Sequence, residues 1–184
     1  MGNLYVALIH FPVVNKRGKE IGSALTNMDL HDIARACRTF GVKGYYVVTP
    51  FEDQIDLADQ IIRHWTDGEG GKVNPSRKKA LELIRVTRTF EEALEEIGQK
   101  EKQEVVTIAT SAKATGESVT PSQLKDRLNS HAPHVLAFGT AWGLTDGFID
   151  SCDLRLAPIM GKDAYNHLSV RSAASIYLDR ITNG

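Results

Sequence analysis

Few of the features that announce a function at once are present in these 184 residues. Cysteine occurs only twice, and Cys37 and Cys152 stand in no CxxC pair and near no histidine at ligand spacing. A zinc knuckle or disulfide scaffold is therefore excluded, and reduced, buried thiols in a cytoplasmic protein are expected. No apolar run is long enough to span a bilayer. The start, MGNLYVALIHF, lacks the basic stretch and small-residue cleavage site of a signal peptide. Charge of one sign does not dominate either: the net charge is −1, so any contact with nucleic acid must come from a local basic patch. The nucleotide cradles GxGxxG and GxxxxGK[ST] are missing, as are HExxH and GxSxG. GEGG at 68–71 is followed by Lys72 but lacks the GK[ST] ending of a phosphate loop, and reads as part of a flexible loop, 66–76. His131 and His134 flank Pro133 and read as surface rings, so no metal site is expected.

What is present is an alternation. A 42% hydrophobic, 24% charged composition is that of an ordinary globular protein, and 184 residues suit one domain, 1–184. Apolar runs at 4–11, 45–50, 104–112, 134–139 and 153–161 read as strands, with another near Ile84 to Thr87. Between them lie helical patterns: one capped by Thr26 or Asn27 and stopped at Gly41, then 51–65, a short one from Arg77, 90–100, 121–130, and a last one from about Leu168 to Ile181. The stretch containing Gly18 and Gly22 reads as a polar loop. Strands alternating with helices indicate an α/β fold with a mostly parallel sheet flanked by helices. Ligands of such sheets sit at the carboxyl ends of strands, which points to the loops after Thr110, Phe138 and Pro158.

Two surface features stand out. Lys72, Arg77, Lys78, Lys79, Arg85 and Arg88 form a basic segment opposed only by Glu82, followed by acidic Glu91, Glu92, Glu95 and Glu96. Arg35 lies off the apolar Leu30–Ile33–Cys37 stripe of its helix and so is not a core residue. Trp65 and Trp142 read as buried side chains, with stacking on a base as the alternative.

Three segments together resemble one family. DLHDIARACRTFGVKGYYVVTP is a helix bearing an arginine that ends at a glycine before a strand. LAFGTAWGLTD is a strand followed by a loop between Gly139 and Gly143. LAPIMGKDAYNHLSVRSAASIYLDRI is a strand, a loop and an apolar helix rich in small residues. In this order they resemble the SPOUT methyltransferases. The resemblance implies a deep C-terminal trefoil knot, S-adenosylmethionine as cofactor, RNA (tRNA or rRNA) as substrate, and a homodimer with sites at the subunit interface, in a cytoplasmic protein free of metal and membrane. It implies a cofactor cleft formed by Thr110, Ser111, Gly139, Thr140, Gly143, Leu156, Pro158, Ile159, Leu168, Ser169 and Ala173. Arg35, assisted by Asn27 or Asp29, is the implied catalytic group, and Asp29 or Asp146 the base for a ring-nitrogen acceptor. The sequence departs from the family at Asp29 and Ser169, where many relatives carry asparagine, and at TAW (140–142), where many carry glutamate. The target atom stays open. The alternatives are a non-catalytic RNA-binding or assembly module on the same fold, or a methyltransferase of a non-RNA substrate.

Overall fold

The computed structural model describes residues 3–113, 116–163 and 165–183. Six strands form one sheet: β1 (Leu4–Ile9), β4 (Tyr45–Val48), β5 (Ile84–Thr87), β6 (Val106–Thr110), β7 (His134–Gly139) and β8 (Leu154–Leu156). Their spatial order is β5-β4-β1-β7-β6-β8, and every pairing is parallel. All six carboxyl ends therefore open on one edge. A small antiparallel hairpin, β2 (Val13–Val14) and β3 (Glu20–Ile21), occupies the stretch expected to be a loop.

Both faces of the sheet are covered, so its central strands β1, β4 and β7 are buried almost throughout rather than alternating. Val6, Leu8, Tyr45, Val47, Ile108, Leu136 and Phe138 face one core, closed by α1 (Asn27–Thr39), α2 (Glu52–Thr66), α4 (Pro75–Leu81), α6 (Pro121–Arg127) and α8 (Val170–Thr182). Tyr5, Ala7, Ile9, Tyr46, Val48, Ala109 and Ala137 face the other, closed by α5 (Phe90–Glu101) and α7 (Asp146–Ser151).

The helix starts follow from their caps. Thr26, not Asn27, caps α1 by accepting from the Asp29 N–H at 3.2 Å. Thr120 and Gln123 form a reciprocal capping box on α6. Ser169 caps α8, so that helix begins at Val170 rather than Leu168. The 153–161 run leaves the sheet after Leu156, two residues before Pro158, which has no N–H to donate to a ladder.

Three expectations are corrected. The GEGG stretch is not a loop: α3 (Glu69–Val73) runs through it, with Gly70 and Gly71 buried. A Cβ on Gly71 would lie 2.3 Å from the Trp65 carbonyl oxygen, so these glycines serve close packing on α2. His134 is buried, not a surface ring, and its Nδ1 lies 2.9 Å from the Ala132 carbonyl oxygen. Trp142 is 54% exposed.

Candidate active site at the carboxyl ends of the strands

Gly139 ends β7, and the chain then makes a tight return. Ala141 adopts a left-handed φ of 51° and Gly143 a φ of 105°, and the Gly143 N–H donates to the Thr140 carbonyl at 2.9 Å. This return brings backbone onto backbone: a Cβ on Gly139 would sit 2.5 Å from the Leu144 nitrogen. The chain itself is thus what approaches Gly139 so closely. Space beside Gly143 is open instead.

The loop is stitched to the hairpin and to β1. Val14 N–H donates to the Gly143 carbonyl, Trp142 N–H to the Val14 carbonyl, and Thr140 N–H to the Ile9 carbonyl, at 2.9, 3.0 and 3.2 Å. Thr140 also donates its hydroxyl to the Ile9 carbonyl at 3.0 Å. Its Oγ1 must then accept in its short contact with Ser23 Oγ. Ser23, having donated there, accepts from His10 Nδ1 at 3.0 Å. With the donors in this order His10 is the Nδ1–H tautomer, and its buried Nε2 is an acceptor without a partner. Burial lowers the His10 pKa, against the opposing charge of Asp29.

The neighbouring loops meet here. Ala109 is level with Ala137 and Thr110 with Leu156, and Thr110 Oγ1 donates to the Ala137 carbonyl at 2.9 Å. Val119 exchanges backbone bonds with Arg155 and Ala157, both 2.8 Å. Asn166 Nδ2 reaches the Ala112 carbonyl at 2.8 Å. The Trp142 and His167 rings lie 6.2 Å apart, joining the second-motif loop to the third. Ser111, Leu156 and Pro158 share a small cleft with Lys113, Ser118 and Arg155. Pro158, Ile159 and Ala173 are half-buried, whereas Leu168 and Ser169 are exposed. The Ser169 hydroxyl is engaged as cap, accepting from the Ser172 N–H at 3.2 Å.

The residues expected to be catalytic do not form one cluster. Asn27 is exposed at the first position of α1. Asp29 is buried, and its carboxylate is paired with Arg171 of α8 at 3.2 Å. Arg35 is exposed further along α1, close enough to His31 for its charge to be felt there. Asp146 is exposed in the first turn of α7. Sequence reasoning missed His10, Ser23 and Arg171. A histidine closing an apolar strand was the visible signal for His10, but nothing local marks the other two. A groove of about 560 Å³ lies elsewhere, at the amino ends of β4 and β5, lined by Tyr5, Lys43, Gly44, Leu83 and Lys100 among others.

The site fits S-adenosylmethionine in its chemistry. Apolar Leu156, Pro158 and Ile159, main-chain carbonyls for a cationic group, and open space at Gly143 suit a sulfonium nucleoside better than a phosphate. Among the described residues, no group of three or more His, Cys, Asp or Glu could hold a metal ion, and no helix is long and apolar enough to cross a membrane.

Comparison with known proteins agrees with this geometry. A tRNA (guanine-N(1)-)-methyltransferase of Oleidesulfovibrio alaskensis is 49% identical over 97% of this chain. The chain spans only 42% of that relative's length. An uncharacterised protein of Aquifex aeolicus is 35% identical, with 97% of this chain and 88% of that protein covered. Among solved structures, the SpoU methyltransferase AviRb of Streptomyces viridochromogenes, crystallised with its cofactor AdoMet, covers 99% of this chain and 56% of its own at 17% identity and a TM-score of 0.54. A family model described as SAM-dependent RNA methyltransferase matches residues 3–183. The chain belongs to that family.

Proposed function

We propose that this chain transfers a methyl group to RNA from S-adenosylmethionine held by the loops after β6, β7 and β8. The observation that carries the reading is the meeting of those three loops on one sheet edge, in the order the family motifs require. The bound cofactor supplies an electrophilic methyl on sulfur. Leu156, Pro158, Ile159, Leu168 and Ala173 would wall the adenine, with Thr110, Ser111, Gly139, Thr140, Gly143 and Ser169 bordering the ribose and methionyl parts. The N–H groups of Thr140 and Gly143 already bond within the protein, which leaves carbonyls and hydroxyls as the polar lining. Arg35 would position a substrate phosphate. Asp29, held by Arg171, is suited to fixing the two motif helices, which leaves Asp146 as the carboxylate open to an acceptor.

The fold around this site is the one in which a trefoil knot is expected. We assign the third-motif segment to the threaded part, supported by its contacts with Ala112 and Val119. Residues 1–184 are read as a single methyltransferase unit in a cytoplasmic protein. A homodimer is supported by large apolar side chains left exposed along the carboxyl-end loops and α1: Met28 at 59%, Met160 at 67%, Tyr165 at 73% and Leu168 at 47%, besides Trp142. Burying such a surface against a second copy removes it from water, and sedimentation of the purified chain checks it.

The test of function is calorimetric titration with S-adenosylmethionine of wild type beside Leu168→Glu, an exposed position whose change leaves the core intact. Gly139→Val is a poor probe, since its side chain would collide with Leu144. Wild-type binding lost in Leu168→Glu, followed by labelled methyl transfer into RNA, is expected. A folded wild type that binds no cofactor would overturn the reading in favour of a non-catalytic module.

A further inference from the structure

The basic segment of the sequence is not one surface. Lys72 pairs with Glu69 and Arg88 with Glu52, both at 2.6 Å. Arg85 bonds the Glu82 and Ile84 carbonyls. Arg77, Lys78 and Lys79 on α4 are left, and among the described residues none of them has an ion-pair partner. Arg35 and Arg38 of α1 are likewise without one.

These cations gather on an aromatic base. The Arg77 guanidinium lies 4.7 Å from the Trp65 ring centroid. His31 and His64 meet the same indole at 5.3 and 5.2 Å, each nearly perpendicular. His31, Arg35 and Arg38 are spaced i, i+4, i+7 and so share one face of α1, and α4 packs against that helix. Burial is the main cause that lowers the His31 pKa, and the charges of Arg77 and Arg35 lower it further, so both cations act on that ring. Asp32, the acid nearest His31 in the helix, is engaged by Arg171 at 3.4 Å. Stacking, not pairing with carboxylates, thus holds Arg77, and its Nε has no partner. Mutual repulsion is left uncompensated, which an anion with regularly spaced charges would relieve. The acidic residues Glu91, Glu92, Glu95 and Glu96 lie on α5, across the sheet.

We propose that the α1–α4 seam, built on Trp65 and carrying Arg35, Arg38, Arg77 and Lys79, docks the phosphate backbone of the RNA substrate. The assignment rests on the RNA-methylating reading above. RNA fits better than an acidic protein because cations without carboxylate partners gather on one indole, a set that matches the regular charge of a phosphate backbone.

The test uses the full chain, bulk tRNA as probe, and Arg38→Ala/Lys79→Ala, both exposed and remote from the cofactor loops. RNA affinity is followed by fluorescence anisotropy from roughly 50 to 200 mM salt, with S-adenosylmethionine titrated in parallel. The double variant is expected to bind RNA at least several-fold more weakly, with a log–log salt slope shallower by about 1.4 to 1.8 and unchanged cofactor affinity. Wild-type RNA binding with the same affinity and slope in the variant would overturn the surface and leave the methyltransferase reading intact. A wild type that binds cofactor but no RNA would overturn both the surface and the RNA substrate. Displacement by polyglutamate as effective as by RNA would overturn RNA as the occupant in favour of an acidic protein.

Discussion

Arg171 bridges two helices: its guanidinium lies 3.2 Å from Asp29 and 3.4 Å from Asp32. The helix of the third motif is thereby keyed to the helix of the first. Asp29 has only 9% of its side chain exposed, whereas Arg171 has 28%. Removing the arginine strands a buried carboxylate, which costs more than removing both charges. Arg171→Ala should therefore lower stability by about 1–3 kcal/mol, and Asp29→Asn by less, because the amide keeps a hydrogen bond. Denaturant unfolding of both single variants and the double variant measures the coupling. Additive effects would refute a direct interaction.

The donor chain from His10 through Ser23 to Thr140 also gives directional expectations. Thr140→Val removes the hydroxyl that Ser23 donates to and leaves it only the more distant His10 carbonyl, 3.4 Å away, at a cost of about 0.5–1.5 kcal/mol. Since Thr140 opens the loop that ends at Gly143, cofactor affinity should fall with it. His10→Asn preserves a donor toward Ser23 and should keep affinity better than His10→Phe. Equal affinities in the two would show that the donor is irrelevant.

Acid should destabilise the fold through its histidines. Burial is the largest cause lowering the pKa of His10, His31 and His134. With folded values below the ordinary 6.5, the unfolded chain binds more protons in the window between, so stability rises with pH there. The contribution is complete above about pH 6.5 and is lost as pH falls through the folded values. Melting temperatures from pH 7.5 to about 5 should fall, and His10→Gln should flatten the slope. A wild-type curve flat across that window would count against it.

The two loop glycines should respond differently to a methyl group. Gly139→Ala puts Cβ 2.5 Å from a backbone nitrogen, where no flexible neighbour can yield. Gly143→Ala meets no atom but must hold a φ near 105°, a strain of about 1–3 kcal/mol. Gly139→Ala is expected to be the more damaging, with lower soluble yield or melting temperature. The reverse order would mean that the return after β7 is not as tight as described.

Much of the layout was legible because strand and helix periods differ so sharply here. Leu30, Ile33, Ala34 and Cys37 gave α1 its face, and all four are buried. The runs around Val6, Val47 and Leu136 gave strands buried on both sides. What escaped was short or non-local. The two-residue strands β2 and β3 exist because Val13 bridges to Leu144, and Val14 bonds Gly143 and Trp142, bringing the hairpin to the second-motif loop, a contact across some 130 residues. Helix α3 looked like a glycine loop because its glycines are explained only by the nearness of His64 and Trp65 on α2. Asp29 was chosen from its place in a motif, but its partner lies 142 residues away. Local pattern shows where an element is; it does not show which side chains from distant elements will face one another.

The strand order β5-β4-β1-β7-β6-β8 has a consequence for how the chain comes into being. The first three strands to emerge from the ribosome, apart from the small hairpin, can pair among themselves once Thr87 is out. β1 then presents one unpaired, fully apolar edge until β7 arrives, some 50 residues later. At ordinary elongation rates that interval lasts about 3–10 s. For that time the nascent half-sheet is a template for any other strand, so synthesis without a chaperone should favour aggregation over folding, and chains truncated before His134 should be insoluble.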